Sequence, residues 1–370
     1  MTVRDIQHIL ESWAPKEIAW ERDNVGLLIG TPNHRVRNIL VSLDVTDEIV
    51  DEARAKRIDL IISHHPLLFH SLKTIRGDDR VGRIVTALIH YGIALYAAHT
   101  NLDFTQSGVS FTLAERLKLQ HIDFLQKNQS VYQKIVVFVP ADHADTVMAS
   151  MAQAGAGVIG KYERCSFRTE GVGTFKAADD SKPFIGKAGQ FETVPEIRLE
   201  MILPQWKMND VLTAMRSSHP YEEVAYDVYG LSNESNSYGA GAIGDLEKEI
   251  NLKTFLGRVR TLLNTGTVRY TGKHQRRIKR VAVCGGSGSD LLRTAIQQGA
   301  DAFITADVSY HTFQEADGRI ALVDAGHFET EQPIVQKIVQ YLHNHCASVK
   351  EKIYVVASTR ARNPVQYYLS

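Results

Sequence analysis

The two outer parts of this chain alternate strand and helix patterns, and this alternation constrains the fold more than any other feature. In the first part, the alternating patterns fall at 38–43, 47–55, 58–63, 81–90 and 93–98. The alternation returns at 280–284, 290–298, 302–305, 310–316 and 321–324, and a last long helix pattern runs from about 330 to 345. This order is typical of βαβ units. We therefore predict an α/β protein with mostly parallel sheets.

The middle of the chain has a different pattern. Six elements follow one another there in the order β-α-β-β-α-β, which is the ferredoxin-like plan. We therefore predict three segments: the first part of the α/β domain at 1–126, an inserted ferredoxin-like domain at 127–232, and the second part of the α/β domain at 233–370. A stretch rich in Ser, Asn and Gly at 231–244 is predicted to be a linker.

Charge and cysteine content exclude several classes of protein. The 370 residues include 42 Lys and Arg, 42 Asp and Glu, and three scattered cysteines. Balanced charge gives no overall field that attracts nucleic acid or anionic lipid, and an odd number of distant cysteines favours a reducing compartment. No apolar run approaches the roughly 20 residues that span a bilayer, and the N-terminal stretch lacks the apolar core of a signal peptide. We expect a cytoplasmic protein without a membrane partner, and we do not expect nucleic-acid binding.

Histidines and carboxylates follow three of the predicted strands at their carboxyl ends, where ligands of open α/β sheets gather. Nitrogen and oxygen ligands of this kind suit Zn²⁺, Mn²⁺, Fe²⁺ or Ni²⁺. The strand ends supply His64 and His65, then His99 and Asp103, and finally His327 and Glu331. An isolated histidine is usually structural, but three strand ends with the same donor types favour a metal site.

The spacing of these residues also bears on the number of metals. Neighbouring side chains of an extended backbone point in different directions, so one ion could hardly bind both His64 and His65. Two ions sharing a bridging carboxylate would use both. Glu331 is predicted in the first turn of the last helix, with Thr330 as its N-cap and His327 in the loop before it.

Three weaker motifs each allow two interpretations. The segment CGGSGSD at 284–290 follows a strand and is either a phosphate cradle or a plain tight turn. The basic run KHQRRIKR at 273–280 is either a nucleic-acid contact or a solvated approach to a strand. The segment SHPYEE at 218–223 is predicted to be a loop or a subunit contact.

Several motifs together resemble one known family. They are DNVGLLIG at 23–30, SLDVT at 42–46, SHHPLLF at 63–69, HTNLD at 99–103, CGGSG at 284–288, GADAFITADVSYH at 299–311 and DAGHFETE at 324–331. They resemble the GTP cyclohydrolase 1 type 2 homologue family, also called the Nif-three-like or YqfO-like dinuclear-metal proteins. HPYEEVAYD at 219–227 is similar to the PII-like or CutA-like domain that longer members insert.

This resemblance implies a three-layer Nif-three-like fold, two divalent ions per chain and a toroidal homohexamer. Zinc is the first choice of metal, with Mn, Fe, Ni or Mg as alternatives. The implied ligands are His64, His65, Asp103, His327 and Glu331, and whether His99 is also a ligand is left open. One departure concerns residues 304–307, which read ITAD where members often have ITGD, so the local backbone and any role of Asp307 stay open.

The resemblance also implies a function. We expect a metal-dependent hydrolase that opens the ring of GTP or hydrolyses another nucleotide or phosphoester. The attacking group would be a water activated by the metals, and no catalytic side chain is assigned. The alternative is a non-enzymatic hexamer that stores, delivers or senses metal through a PII-like domain.

Overall fold

The computed structural model describes residues 1–129, 131–347 and 353–368, and these form two compact units. The first unit comprises residues 1–127 and 237–370, and the second comprises 128–236. The second unit therefore interrupts the first along the chain. None of the helices in the described ranges is long and apolar enough to cross a membrane.

The first unit begins with ten elements. They are α1 (Val3–Trp13), β1 (Gly26–Ile29), β2 (Asn38–Ser42), α2 (Asp47–Ala55), β3 (Leu60–Ser63), α3 (Arg80–Tyr91), β4 (Ala94–Ala97), α4 (Thr100–Asp103), α5 (Val109–Arg116) and β5 (Gln120–Lys127). Six α-helices and β-strands follow in the described part of the second unit. They are β6 (Tyr132–Pro140), α6 (Ala144–Gln153), β7 (Phe167–Lys176), β8 (Phe191–Pro204), α7 (Met208–Ser218) and β9 (Tyr226–Gly230).

The first unit then resumes. Its remaining elements are β10 (Gly239–Asn251), α8 (Leu252–Leu263), β11 (Arg269–Tyr270), β12 (Arg277–Val283), α9 (Leu292–Gln297), β13 (Ala302–Thr305), α10 (Tyr310–Ala316), β14 (Ala321–Asp324), α11 (His327–Glu331), α12 (Pro333–Cys346) and β15 (Tyr354–Ala357). The predicted α/β class is confirmed.

The two sheets of the first unit differ in strand direction. One sheet has the order β1-β4-β3-β2-β15 and is parallel except for β1. The other has the order β11-β14-β13-β12-β10-β5, in which only β12, β13 and β14 run parallel. The prediction of mostly parallel sheets is therefore wrong for this second sheet, because β5, β10 and β11 were not recognised as strands.

Helices cover both faces of each of these sheets. In the first sheet, α1 and α12 pack on one face and α2 and α3 on the other. In the second sheet, α5 and α8 pack on one face, and α9 and α10 on the other. Residues of strands β2, β3, β13 and β14 are buried throughout or nearly so, as strands covered on both faces should be.

The glycine-rich part of the predicted linker belongs to β10. A Cβ at Gly239 would lie 2.5 Å from the carbonyl oxygen of Gln126, and one at Gly244 would lie 2.8 Å from that of Gln120. These glycines therefore let the neighbouring strand β5 approach closely. The linker prediction is wrong for residues 239–244 because glycine here serves close packing.

The described residues of the second unit form a four-stranded sheet in the order β7-β8-β6-β9, with every neighbouring pair antiparallel. Its six elements follow the order β-α-β-β-α-β. Helices α6 and α7 cover one face, where Ile135, Val137, Leu199 and Met215 are fully buried. This packing gives the unit a hydrophobic core of its own.

Candidate metal centre

Strand register brings the predicted site residues of the first sheet to one edge. Ser63 at the end of β3 pairs with Ser42 of β2 on one side and with Ala97 of β4 on the other. The residues that follow these three strand ends therefore lie side by side. His64 and His65 follow β3 and His99 follows β4.

The imidazole of His64 is fully buried and held in one tautomer. Its Nδ1–H donates to the carbonyl oxygen of Ala98 at 2.8 Å. Nε2 therefore carries the lone pair, and it has no hydrogen-bond partner in the described residues. It lies 3.7 Å from Oδ1 of Asp103 and 3.7 Å from Oε1 of Glu331. Such a nitrogen aimed at two carboxylates is a suitable metal ligand.

His65 lies between two carboxylates. Its Nδ1 donates to Oδ1 of Asp44 at 2.9 Å, and its Nε2 lies 2.8 Å from Oε2 of Glu331. Burial lowers the pKa of His65, but the hydrogen bonds to Asp44 and Glu331 outweigh it and raise that pKa to about 10. The negative charges of Asp44 and Glu331 that raise this pKa also attract divalent cations.

The second sheet contributes His327 and Glu331 from the short helix α11. They are four residues apart and therefore share one face of the helix, with Nε2 of His327 3.1 Å from Oε2 of Glu331. The structure corrects the local prediction: His327 begins α11, Thr330 lies within it, and Gly326 is its N-cap. Pro333 then starts α12 as a separate helix.

The structure gives the backbone conformation and the contact of Asp307, which the ITAD sequence at 304–307 leaves open. It follows β13 and takes a left-handed backbone conformation, with φ of 53°. Its Oδ2 accepts a hydrogen bond from Nδ1 of His327 at 2.6 Å. Asp can adopt this conformation at moderate cost. Ala306 has no positive φ, so position 306 does not require glycine.

The two predicted carboxylate ligands differ in ionisation. Burial raises the pKa of Asp103 to about 7, and the charge of Glu331 acts in the same direction. Burial also raises the pKa of Glu331, but hydrogen bonds with His327, His64 and His65 hold it well below its usual value. Glu331 is therefore the permanent anion at the centre of the cluster.

His99 belongs to the same cluster and has its own carboxylate partner. Its Nδ1 donates to Asp23 at 2.9 Å, and Asp23 also accepts a hydrogen bond from the backbone N–H of Thr100. Asp23 lies there because β1 runs antiparallel to β4, with Gly26 opposite Ala97. Burial raises the pKa of Asp23, but these hydrogen bonds outweigh it and lower the pKa.

Two overlapping groups of donor atoms result. His64, His65 and His99 form one group, and His65, His327 and Glu331 form the other, with ligand atoms within 4.8 Å of one another in each. Asp103 lies beside the first group, and its buried Oδ1 lacks a hydrogen-bond partner in the described chain. The donor types and these unsatisfied buried atoms fit divalent metal ions.

The CGGSG segment packs behind Glu331 and does not present a free phosphate cradle. The backbone N–H groups of Gly285, Gly286 and Gly288 donate to the hydroxyls of Ser110, Thr330 and Thr305, respectively. A Cβ at Gly286 would lie 2.1 Å from Oε1 of Glu331. Of the two interpretations, the structure therefore favours the tight turn.

The basic run and two polar residues near the ligand motifs, His311 and Glu329, make contacts outside the donor groups. Within the basic run, side chains contact groups of the same unit: Arg276 with the Arg319 carbonyl, Arg277 with Glu249, Lys279 with the Leu246 carbonyl, and Arg280 with Asp245. The side chain of His311 forms a hydrogen bond with that of Gln314, and Glu329 accepts one from Asn363. Sequence reasoning did not assign the carboxylates Asp23, Asp44 and Asp307 as partners of the histidines.

Together, fold and site define an α/β protein with a histidine and carboxylate cluster suited to divalent metals. The profile of Duf34/NIF3 (NGG1p interacting factor 3) matches residues 1–364. The chain therefore belongs to the Duf34/NIF3 family.

Curated relatives and solved structures agree with this membership. A protein of Halalkalibacterium halodurans named GTP cyclohydrolase 1 type 2 homolog is 40% identical over 97% of both chains, and one of the same name from Bacillus subtilis is 39% identical over 98% of both. A solved Bacillus cereus protein related to NIF3 is 39% identical, with a TM-score of 0.87 over 100% of this chain and 99% of that one. A Staphylococcus aureus structure has 31% identity and a TM-score of 0.81, with the same coverage.

Proposed function

We propose that this protein is a metal-dependent hydrolase with a dinuclear centre, with zinc as the first choice of metal. The observation that carries the proposal is the pair of overlapping donor groups, with Glu331 within reach of His64, His65 and His327. His64 and Asp103 would hold one ion, His65 and His327 would hold the other, and Glu331 would be the shared carboxylate. His99 is a further candidate for the first ion.

Side chains around the ligands hold the rings in place. The Nδ1 atoms of His65, His327 and His99 bond to Asp44, Asp307 and Asp23, respectively, and that of His64 bonds to a backbone carbonyl. Each ring therefore directs Nε2 towards the common space, as carboxylate and carbonyl partners of metal-binding histidines do. A pair of divalent ions supplies Lewis-acid activation of water and of the substrate oxygens.

The substrate proposal is a nucleotide or another phosphoester. The name of the relatives, GTP cyclohydrolase 1 type 2 homolog, supports GTP ring opening as one candidate reaction. A homohexamer in the cytoplasm is part of the same proposal, and the free state of the three cysteines is consistent with that compartment.

The alternative is a non-enzymatic assembly that stores, delivers or senses metal. The β-α-β-β-α-β order of the second unit favours it, since a ferredoxin-like, PII-like or CutA-like domain would suit a sensor. Molar mass in solution tests the hexamer, and metal-dependent turnover separates the two functions.

Metal content per chain is the deciding experiment. Elemental analysis of gently purified protein should give about two ions per chain, and the His327→Ala/Glu331→Ala variant should lose metal. The matched control is His311→Ala/Glu315→Ala, which removes the same residue types at the same spacing from α10. Equal metal in both variants would overturn the dinuclear centre, and full metal without turnover of GTP or a phosphodiester would favour the alternative.

A further inference from the structure

The second unit contains a cavity of about 720 Å³, which we call the aromatic cavity. Strands β7 and β8 and two loops, 177–185 and 221–225, contribute its lining. A volume of this size is typical of sites for small organic molecules. All of its lining residues belong to the second unit, so the cavity shares no residue with the metal centre.

The HPYEE segment that the metal centre leaves unused forms one wall of this cavity. His219 is buried, its Nε2 donates to the carbonyl oxygen of Phe138 at 3.0 Å, and its Nδ1 accepts from the backbone N–H of Tyr221 at 3.1 Å. Both ring nitrogens are thus used in fixing the loop to β6. The loop in turn places Tyr221 in the cavity wall.

Three aromatic rings line the cavity, and one of them contacts a carboxylate. The ring centroid of Tyr221 lies 6.2 Å from that of Phe175 and 6.3 Å from that of Phe184. The hydroxyl of Tyr221 donates to Oε1 of Glu196 at 2.9 Å. Oε2 of Glu196 lies against Gly173, where an added Cβ would come within 2.1 Å of it. The carboxylate therefore has a fixed position beside the rings.

The charge of the lining is negative. Its carboxylates are Glu170, Glu196, Glu222 and Glu223, and its guanidinium is that of Arg198. Arg198 is paired with Glu200 at 2.8 Å, and its guanidinium carbon lies 5.8 Å from the ring centre of Phe138. Glu200 also pairs with Lys134 and compensates Arg198 only in part. Four carboxylates against one guanidinium still make the lining negative, which favours a positively charged occupant.

We propose that the aromatic cavity is a binding site for a small planar organic cation, such as a protonated heteroaromatic ring or an arylamine. The rings of Phe175, Phe184 and Tyr221 supply the apolar surface for the flat part of the ligand. Glu196 receives its positively charged N–H group. An anion of the same size and shape is excluded by the surrounding carboxylates.

The test uses the full chain and two fluorescent dyes. The flat cationic dye proflavine, whose protonated ring nitrogen carries an N–H, should bind with a stoichiometry of one per chain. The anionic dye 1-anilinonaphthalene-8-sulfonate should bind at least about tenfold more weakly. Glu196→Gln should weaken proflavine binding by about tenfold, because it removes one charge from the site. The matched control, Glu163→Gln, makes the same change at an exposed position outside the lining.

A second variant keeps the test valid if Glu196→Gln fails to fold. Ala177 lines the cavity from a loop, so Ala177→Trp should fill the space without changing charge and abolish dye binding. Wild-type affinity in either folded variant would overturn the proposal, and so would equal binding of the two dyes. Repeating the titration on chelator-treated protein should give the same affinity, which separates this site from the metal centre.

Discussion

Nε2 of His64 lies 3.7 Å from Oδ1 of Asp103, and both atoms are buried without a hydrogen-bond partner in the described chain. Two unsatisfied polar atoms that face each other are costly in a folded protein. A shared cation would satisfy both atoms at once. The same two atoms should therefore destabilise the metal-free chain locally and favour the binding of a cation.

Asp103→Asn should change stability and metal affinity in opposite directions. The amide removes a buried charge that lies near Glu331, so the metal-free protein should gain about 1 kcal/mol in free energy of unfolding. Metal affinity, measured by chelator competition, should fall by about tenfold or more. Chemical denaturation with excess chelator measures the first effect, and a variant that is less stable and binds metal normally would contradict the prediction.

Gly286→Ala should abolish metal binding through Glu331. Gly286 has φ of 62°, and its Cβ would lie 2.1 Å from Oε1 of Glu331, so the carboxylate must move. Gly299→Ala is the matched control, because Gly299 has φ of 72° and nothing within 4 Å of its Cβ position. Both variants should lose about 1 kcal/mol from the backbone conformation, but only Gly286→Ala should lose metal in elemental analysis. Loss in both would point to general instability instead.

Much of this cluster could be predicted from the sequence by the rule that ligands gather at the carboxyl ends of strands. It applies to His64, His65 and His99, and it would also have found Asp44 after β2 and Asp307 after β13. It could not find Asp23, which precedes its strand. Asp23 reaches His99 only because β1 runs antiparallel at the sheet edge, and strand direction is set by long-range pairing.

Asp307 should support metal binding without being a ligand. Asp307→Gly relieves the positive φ but removes the acceptor for Nδ1 of His327. Metal affinity should fall by about tenfold to a hundredfold, whereas the melting temperature of the metal-free protein should stay equal or rise. Asp307→Asn keeps an acceptor oxygen and should retain more affinity than the glycine variant, and the reverse order in a chelator titration would refute this role.

Glu52 should make stability depend on acid pH away from the metal centre. Burial raises its pKa, but hydrogen bonds from Lys56, Ser358 and Thr359 outweigh it and lower the pKa to about 2. Because the folded pKa lies below the unfolded value of 4.5, the carboxylate stabilises the fold above pH 4.5. This contribution is lost as pH falls towards 2.

Glu52→Gln should therefore lower the free energy of unfolding by about 2 kcal/mol at pH 7, and the difference from wild type should shrink towards pH 2. Urea unfolding across this range measures it. Glu48→Gln on the same helix is the control, because its partner Arg362 is exposed and solvent screening leaves such a pair little effect on stability. A pH-independent difference for Glu52→Gln would rule out the linkage.

Two local errors show what sequence patterns could not supply. The long helix predicted from about residue 330 is divided into α11 and α12, and His327 is helical because Gly326 at φ of 90° turns the chain directly after β14. The glycines of β10 indicated a flexible linker, but they permit contact with β5, a partner more than a hundred residues earlier in the chain. The first error thus has a local cause in the backbone of Gly326, whereas in β10 a strand distant in sequence decides the local structure.

His65 and Glu331 are 266 positions apart in the chain, yet their side chains meet at 2.8 Å. During synthesis, the amino-terminal histidines leave the ribosome long before α11 exists, and the whole second unit is made in between. The nascent chain thus carries these histidines beside Asp23, Asp44 and Asp103, but without His327 and Glu331, for most of its translation. The full set of donor atoms exists only after the carboxyl-terminal segment has emerged, so an ion bound earlier would meet an incomplete site.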